Sequence, residues 1–236
     1  AEELPRLVFS PTLAGGCLPG TDRAEVLYLS PLDSPEIWGI DPRGGSPRQL
    51  THSGGMVHEF TLWPDGSRVL YAAGNALGGT DLWQAGGQGG EERLLLECGG
   101  DRCAGAAVSP DGKWIAYDRR NASENPGGGP GLARVWLMEA SSGDTRALFR
   151  DARVSCEYPA WSPDGLRLSC YDAHEAAVRV HLLAGDEGGR DDRLFPTRVP
   201  HAGSWTADSA ALIYTDSKLV NEMPRARILR ANVRTG

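Results

Sequence analysis

One short phrase recurs along this chain and restricts the folds open to it. Phe60-Thr-Leu-Trp63-Pro-Asp65-Gly66-Ser-Arg-Val-Leu-Tyr71 returns as Ala107-Val-Ser-Pro-Asp111-Gly112-Lys-Trp-Ile-Ala-Tyr117. It returns again as Ala160-Trp161-Ser-Pro-Asp164-Gly165-Leu-Arg-Leu-Ser-Cys-Tyr171. Weaker copies are Pro19-Gly-Thr-Asp22-Arg-Ala-Glu-Val-Leu-Tyr28 and Ser204-Trp205-Thr-Ala-Asp208-Ser-Ala-Ala-Leu-Ile-Tyr214. The turn aspartates are spaced 43, 46, 53 and 44 residues apart. Periods in the forties suit either four-stranded propeller blades or paired-helix repeats.

Local pattern separates the two. Asp can bond its own backbone and Gly tolerates positive φ, so each Pro-Asp-Gly reads as a tight turn. Short apolar strands follow at Val69–Ala72, Trp114–Tyr117, Leu166–Tyr171 and Ala211–Tyr214. Third strands are expected at Ile37–Ile40, Leu82–Gln84, Arg134–Met138, Val178–Leu183 and Ile228–Ala231. Fourth strands are expected at Arg48–Thr51, Arg93–Leu96, Arg146–Phe149 and Arg193–Phe195. No window carries ten residues of sustained helical period, so the reading is an all-β propeller of five four-stranded blades in a single domain, 1–236. Arg6-Leu7-Val8-Phe9 resembles the outermost strands and is expected to close the last blade, which removes an exposed edge. The alternative is part of a six-bladed ring.

Composition excludes several function classes. The 31 glycines follow no three-residue period, so collagen is out, and 40% hydrophobic residues suffice for a core. No apolar run reaches the length of a membrane helix. A net charge of −7 argues against a nucleic-acid partner. The five cysteines form no CxxC pair, so zinc ribbons have no support. If Ser162 faces Gly165, Cys156 and Cys170 lie opposite each other to within one residue, near disulfide distance. Cys98 and Cys103 flank a short fold-back, and Cys17 is left free. Two disulfides point to an oxidising compartment, periplasmic or extracellular. Leu13-Ala-Gly-Gly-Cys17 lacks the charged start and apolar stretch of a lipoprotein signal, and the chain is expected to begin after a removed export signal.

The Trp-Ser-Pro-Asp-Gly phrase at 161–165, with relatives at 63–66 and 108–112, resembles the repeat of TolB-like propellers. The resemblance covers nearly the whole chain and implies a periplasmic, protein-binding propeller, which in that family has six blades behind a separate amino-terminal domain. Similar WD-repeat-like blades accompany the catalytic domain of prolyl-oligopeptidase-type peptidases, but this chain has no G-x-S-x-G.

Other motifs are weak. Gly127-Gly-Gly-Pro-Gly131 sits between strands and reads as a surface loop, and Asp186–Asp192 lacks EF-hand spacing and reads as a solvated acidic turn. Asn121-Ala-Ser123 is a chance glycosylation match. Trp63, Trp161 and Trp205 read as packing between blades. Aligned on the turn aspartate, seven positions earlier stand Gly15, His58, Ala104, Glu157 and His201. The next position holds Gly16, Glu59, Gly105, Tyr158 and Ala202. In a propeller the first strand of each blade lines the channel, so these columns mark its mouth. His58, Glu59, Glu157, Tyr158 and His201 are therefore the candidate binding residues. No cofactor or metal is expected.

The expected function is a non-catalytic binding or assembly module, as an exported protein or as a subunit of a larger, membrane-associated complex. Its protein partner is expected on the channel-mouth face, with loops 119–133, 172–177 and 216–226. The alternative is a hydrolase or lyase that uses Glu59 and Glu157 as a carboxyl pair.

Overall fold

A computed structural model describes residues 25–122, 131–183, 192–220 and 223–234. The expected closing strand Arg6–Phe9, Cys17, Ser123 and the segments 123–130 and 184–191 lie outside the described residues. The chain forms two compact units, 1–106 and 107–236.

Unit 1 begins with a sheet of β1 (Val26–Ser30), β2 (Glu36–Ile40) and β3 (Arg48–Gln49), paired antiparallel in that order. A second antiparallel set follows: β4 (Val57–Leu62), β5 (Arg68–Gly74), β6 (Thr80–Gly86) and β7 (Arg93–Leu96). Alternating apolar residues from both sets meet in one core of Leu27, Ile37, Leu50, Val57, Phe60, Val69, Tyr71, Ala73 and Ala85. A buried carboxylate ties the connection between them. Glu36 accepts the Thr51 and Ser53 hydroxyls and the Gly55 amide at 2.6, 3.1 and 2.8 Å, so its pKa falls below the usual value although burial opposes the fall.

β8 (Arg102–Val108) leads into unit 2, where β9 (Trp114–Arg120), β10 (Ala133–Glu139) and β11 (Thr145–Ala147) follow in antiparallel order. Next come β12 (Cys156–Trp161), β13 (Arg167–Asp172), β14 (Ala177–Leu182) and β15 (Arg193–Pro196), a four-stranded antiparallel sheet. The last sheet is β16 (Ser204–Trp205), β17 (Ala211–Val220) and β18 (Met223–Asn232). Ala116, Val135, Leu137, Leu148, Cys156, Leu168 and Cys170 form one core, and Val178, Val180, Phe195, Leu212, Tyr214 and Val233 another. Each core joins residues of consecutive sheets, so the sheets of unit 2 pack face to face. Trp161 and Trp205 stitch this stack with matching bonds. The Trp161 indole donates to the Ala107 carbonyl at 3.0 Å, and the Trp205 indole to the Ala160 carbonyl at 3.3 Å, one repeat earlier in each case.

The repeated turn closes as its residues dictate. Ser109, Ser162 and Thr206 donate their hydroxyls to Asp111, Asp164 and Asp208 at 2.6, 2.5 and 2.6 Å. Each hydroxyl also accepts the amide five residues on, that of Trp114, Arg167 and Ala211. Gly66, Gly112 and Gly165 have φ between +68° and +71°, the left-handed region glycine occupies without strain.

Three expectations need adjustment. The β12–β13 hairpin has the expected Ser162–Gly165 closure, the Gly165 amide on the Ser162 carbonyl at 2.8 Å, but the ladder beyond it starts one step wider, with the Ser162 amide on the Arg167 carbonyl at 2.9 Å. A register shift between Glu157 and Ala160 then places Cys156 opposite Asp172, yet the Cα atoms of Cys156 and Cys170 stay 5.6 Å apart and the disulfide forms. Cys98 and Cys103 are also bonded. Finally, the described residues of 216–226 are strand rather than loop: β17 and β18 stay paired from Ala211–Asn232 to Val220–Met223. No glycine interrupts Asp216–Val220, and the Asp216–Arg227 ion pair at 2.6 Å ties the strands together across that extension.

Candidate functional site

The candidate residues distribute between the units, and most spend their polar atoms on backbone or on each other. In unit 1, His58 and Glu59 are neighbours on β4, where a register shift interrupts the pairing with β5. A Glu59 carboxylate oxygen accepts the Gly105 amide. His58 is held below its ordinary pKa by desolvation and by the Arg102 cation, so its ring is neutral at physiological pH.

In unit 2, Glu157 and Tyr158 are neighbours on β12 at the register shift. The Glu157 carboxylate is buried and paired with Arg120 of β9. The Tyr158 amide donates to Asp118 Oδ2 at 3.1 Å, while the side chain is 45% exposed and φ is +56°. A tyrosine in that left-handed region is strained, because its Cβ crowds the backbone. His201 closes its own turn. Its Nδ1 accepts the Gly203 amide at 2.9 Å, and its Nε2 lies between the Thr215 amide and carbonyl of β17, at 2.9 and 3.0 Å. Glu157 and Tyr158 are thus brought together with Arg120 and Asp118, and His58 with Glu59, whereas His201 serves its own backbone.

Sequence reasoning missed a cleft in unit 2 of about 790 Å³, bordered by Phe149, Asp172, Arg179, His181 and Asp192. Arg179 is clamped there between two carboxylates, Asp172 and Asp192, each at 2.6 Å. His181 Nδ1 lies 2.7 Å from the other oxygen of Asp192, and its ring meets Phe149 edge-on at 5.1 Å between centroids. Both carboxylate contacts raise the Arg179 pKa against the opposing effect of burial, which fixes the cation. The signal was available in sequence: Arg179 and His181 sit two apart on β14, so both point to one face of an otherwise apolar strand. Among the described residues no group of three or more His, Cys, Asp or Glu is placed to hold a metal ion.

No family model matches the chain. It is 34% identical over 85 residues to the uncharacterised protein YidR of Escherichia coli K12, covering 35% of this chain and 19% of YidR. Among solved structures, TolB from Acinetobacter baumannii superposes with a TM-score of 0.66 at 17% identity, over 89% of this chain and 49% of that one. The fold is that of TolB-like β-propellers. A propeller in the nidogen/laminin complex aligns at TM-score 0.61 and 13% identity, over 90% of this chain and 73% of that one. An oligogalacturonate lyase in complex with manganese does so at 0.61 and 14%, over 88% and 62%. The same fold therefore occurs in enzymes and in proteins described by their complexes, and function has to be argued from the residues. The chain spans about a fifth of YidR's length and about half of the TolB chain's.

Proposed function

We propose that this chain is an exported, single-domain β-propeller of five four-stranded blades, with Arg6–Phe9 completing the last blade beside β18, and that it binds a protein partner without catalysis. One observation carries this reading. The residues that could have done acid–base chemistry at the first strands are committed elsewhere: Glu59 to the Gly105 amide, Glu157 to Arg120, His201 to its own turn. A carboxylate locked in an ion pair is a poor general acid or nucleophile, because its proton affinity is suppressed and its lone pairs are occupied. Among the described candidate residues Tyr158 stays exposed, and loops positioned by a rigid scaffold suit docking. Two disulfides support an oxidising compartment, and the TolB-like fold supports a protein-binding role in the periplasm, alone or within a membrane-associated assembly.

The test is in-cell crosslinking and capture from the native source. Replacing 121–131 with a short Gly-Ser link, or combining His58→Ala with His201→Ala, is expected to lower recovery of the captured partner while far-UV circular dichroism stays unchanged. Full recovery with both variants would place the docking face elsewhere.

A second reading is favoured by the lyase likeness: a propeller lyase or hydrolase that uses Glu59 and Glu157. It predicts turnover of oligogalacturonate with added manganese that is lost on Glu157→Gln. Absence of turnover at any metal concentration would remove it.

A further inference from the structure

The connection that enters β4 is organised around one buried carboxylate. Glu36 accepts three donors, the Thr51 hydroxyl on Oε2 and both the Ser53 hydroxyl and the Gly55 amide on Oε1. Both hydroxyls are already engaged as acceptors. Thr51 Oγ1 takes the Ile37 amide at 2.9 Å, and Ser53 Oγ takes the Met56 amide at 3.2 Å. Each therefore presents its own proton to Glu36, and the Gly55 amide can only donate. A proton on the carboxyl turns an acceptor into a donor that faces three donors. At least one of the three bonds must then break, in a buried site where an unpaired polar group is destabilising.

What lets go matters because of where the connection leads. The Met56 carbonyl at its end accepts the Gly74 amide at 2.9 Å, and the Val57 amide donates to the Pro35 carbonyl at 3.1 Å. His58 and Glu59 follow at once, at the register shift of β4. Gly54 and Gly55, with φ of +81° and +78°, have no Cβ to hold them in one conformation once those bonds are gone. The matching connection into β8 is secured differently. The Cys98–Cys103 disulfide closes it whatever the charge on Asp81, which accepts the Cys98 amide at 2.7 Å. The titratable group that faces Glu36 from β5 is Tyr71, whose hydroxyl donates to Glu92 at 2.5 Å. His52 Nδ1 lies 3.4 Å from the same Glu92 carboxylate.

We propose that Glu36 is an acid-released latch: ionised, it closes the connection His52–Met56, and protonated, it frees that connection together with the His58–Glu59 bulge. Burial pushes the Glu36 pKa up, and the Thr51, Gly55 and Ser53 bonds bring it below the ordinary value. The latch is therefore fully closed above the ordinary carboxylate value and opens as pH falls through the lower, folded-state one. Amide hydrogen exchange of the full chain, corrected for the intrinsic effect of pH, is followed by NMR from about pH 7 to about pH 3. The Gly55 and Met56 amides are expected to lose protection about tenfold or more, at the midpoint of the Glu36 carboxyl signal. The Asp101 amide, which bonds Cys98 inside the disulfide-closed connection, and the Leu70 amide of β5 are expected to stay protected. Glu36→Gln is expected to show the low Gly55 protection already at neutral pH, with no further acid step. The proposal is overturned if Gly55 and Met56 keep their protection, if Leu70 loses its own at the same midpoint, or if Glu36→Gln retains the acid step. Should Glu36→Gln fail to fold, the parent decides: separate midpoints for Gly55 exchange and the Glu36 carboxyl overturn the latch, and coincident ones support it. The latch goes beyond the protein-binding reading and is independent of it. A missing acid step leaves that reading intact, and failure of the chain to capture any partner leaves the latch intact.

Discussion

The β4–β5 hairpin of unit 1 and the β12–β13 hairpin of unit 2 share a turn phrase and differ in what surrounds it. At 161–165 the turn is held by a hydroxyl: Ser162 donates to Asp164 and accepts the Arg167 amide. In the other hairpin that place belongs to Trp63, which is 3% exposed and covered by the Arg68 guanidinium at 4.1 Å from the ring centroid. There Asp65 turns to Ser67 instead, accepting both its amide and its hydroxyl at 2.9 and 2.7 Å. The amide closures remain identical: Trp63 on Arg68, Ser162 on Arg167. The two hairpins share the turn aspartate and the left-handed residue after it, a place that Ser209 takes at φ +56° in the β16–β17 copy, and the element that secures the turn is interchangeable between buried apolar surface and a hydroxyl relay. The β12–β13 hairpin adds a second lock in the buried Cys156–Cys170 bond.

Removing each lock tests this contrast. The largest effect is expected in unit 1: Trp63→Ala should cost about 3–5 kcal/mol in urea unfolding, the range for emptying a buried Trp site. Trp63→Ser should recover about 1 kcal/mol of that by offering Asp65 the relay that Ser162 gives Asp164. Equal losses for the two variants would show that the relay does not transfer between hairpins. Next comes the paired replacement Cys156→Ala with Cys170→Ala, expected to lower stability by about 3 kcal/mol through the freed fourteen-residue loop in the unfolded chain. An unchanged midpoint would show that packing alone holds this hairpin.

Smaller effects follow at the turn itself. Gly165→Ala should cost about 1–2 kcal/mol although its Cβ meets only Pro110 at 3.8 Å, because the penalty comes from φ +70°. Ser162→Ala should cost about 1 kcal/mol by differential calorimetry, while Ser67→Ala does the matching damage in unit 1.

The smallest effect is in pH dependence. Asp65 is held below its ordinary pKa first by the Ser67 hydroxyl, and Asp164 is lowered by Ser162 despite the opposing burial. Depressed folded-state values mean that the stabilisation is complete above the ordinary carboxylate value and lost as pH falls through the folded one. Ser162→Ala should flatten the acid limb of the stability curve in the parent background, and a limb unchanged in slope would assign the acid sensitivity to Glu36 or another carboxylate.

Much of the architecture was legible in the chain because its signals are local. A turn aspartate, its glycine and the apolar run after it lie within a dozen residues, so β5, β9, β13 and the first half of β17 could be placed by pattern. The Cys156–Cys170 pairing was legible for the same reason, since a hairpin brings its ends together whatever the rest of the molecule does. The candidate columns were legible as positions only. Nothing near Glu157 announces that Arg120, 37 residues away, neutralises it, or that Asp118 holds the amide of Tyr158 in a left-handed turn.

Sequence by itself therefore determined the all-β class, the period, the turns and both disulfides, because each depends on backbone preferences over a short span. Tertiary structure alone decided which of the aligned polar side chains are spent and which stay exposed. It also set the register shift at 157–160, the Asp172–Arg179–Asp192 clamp and the full length of the β17–β18 hairpin. Those features depend on charge pairing and hydrogen bonding between strands that the period brings together, and a carboxylate's role is set by the partner the fold places within reach.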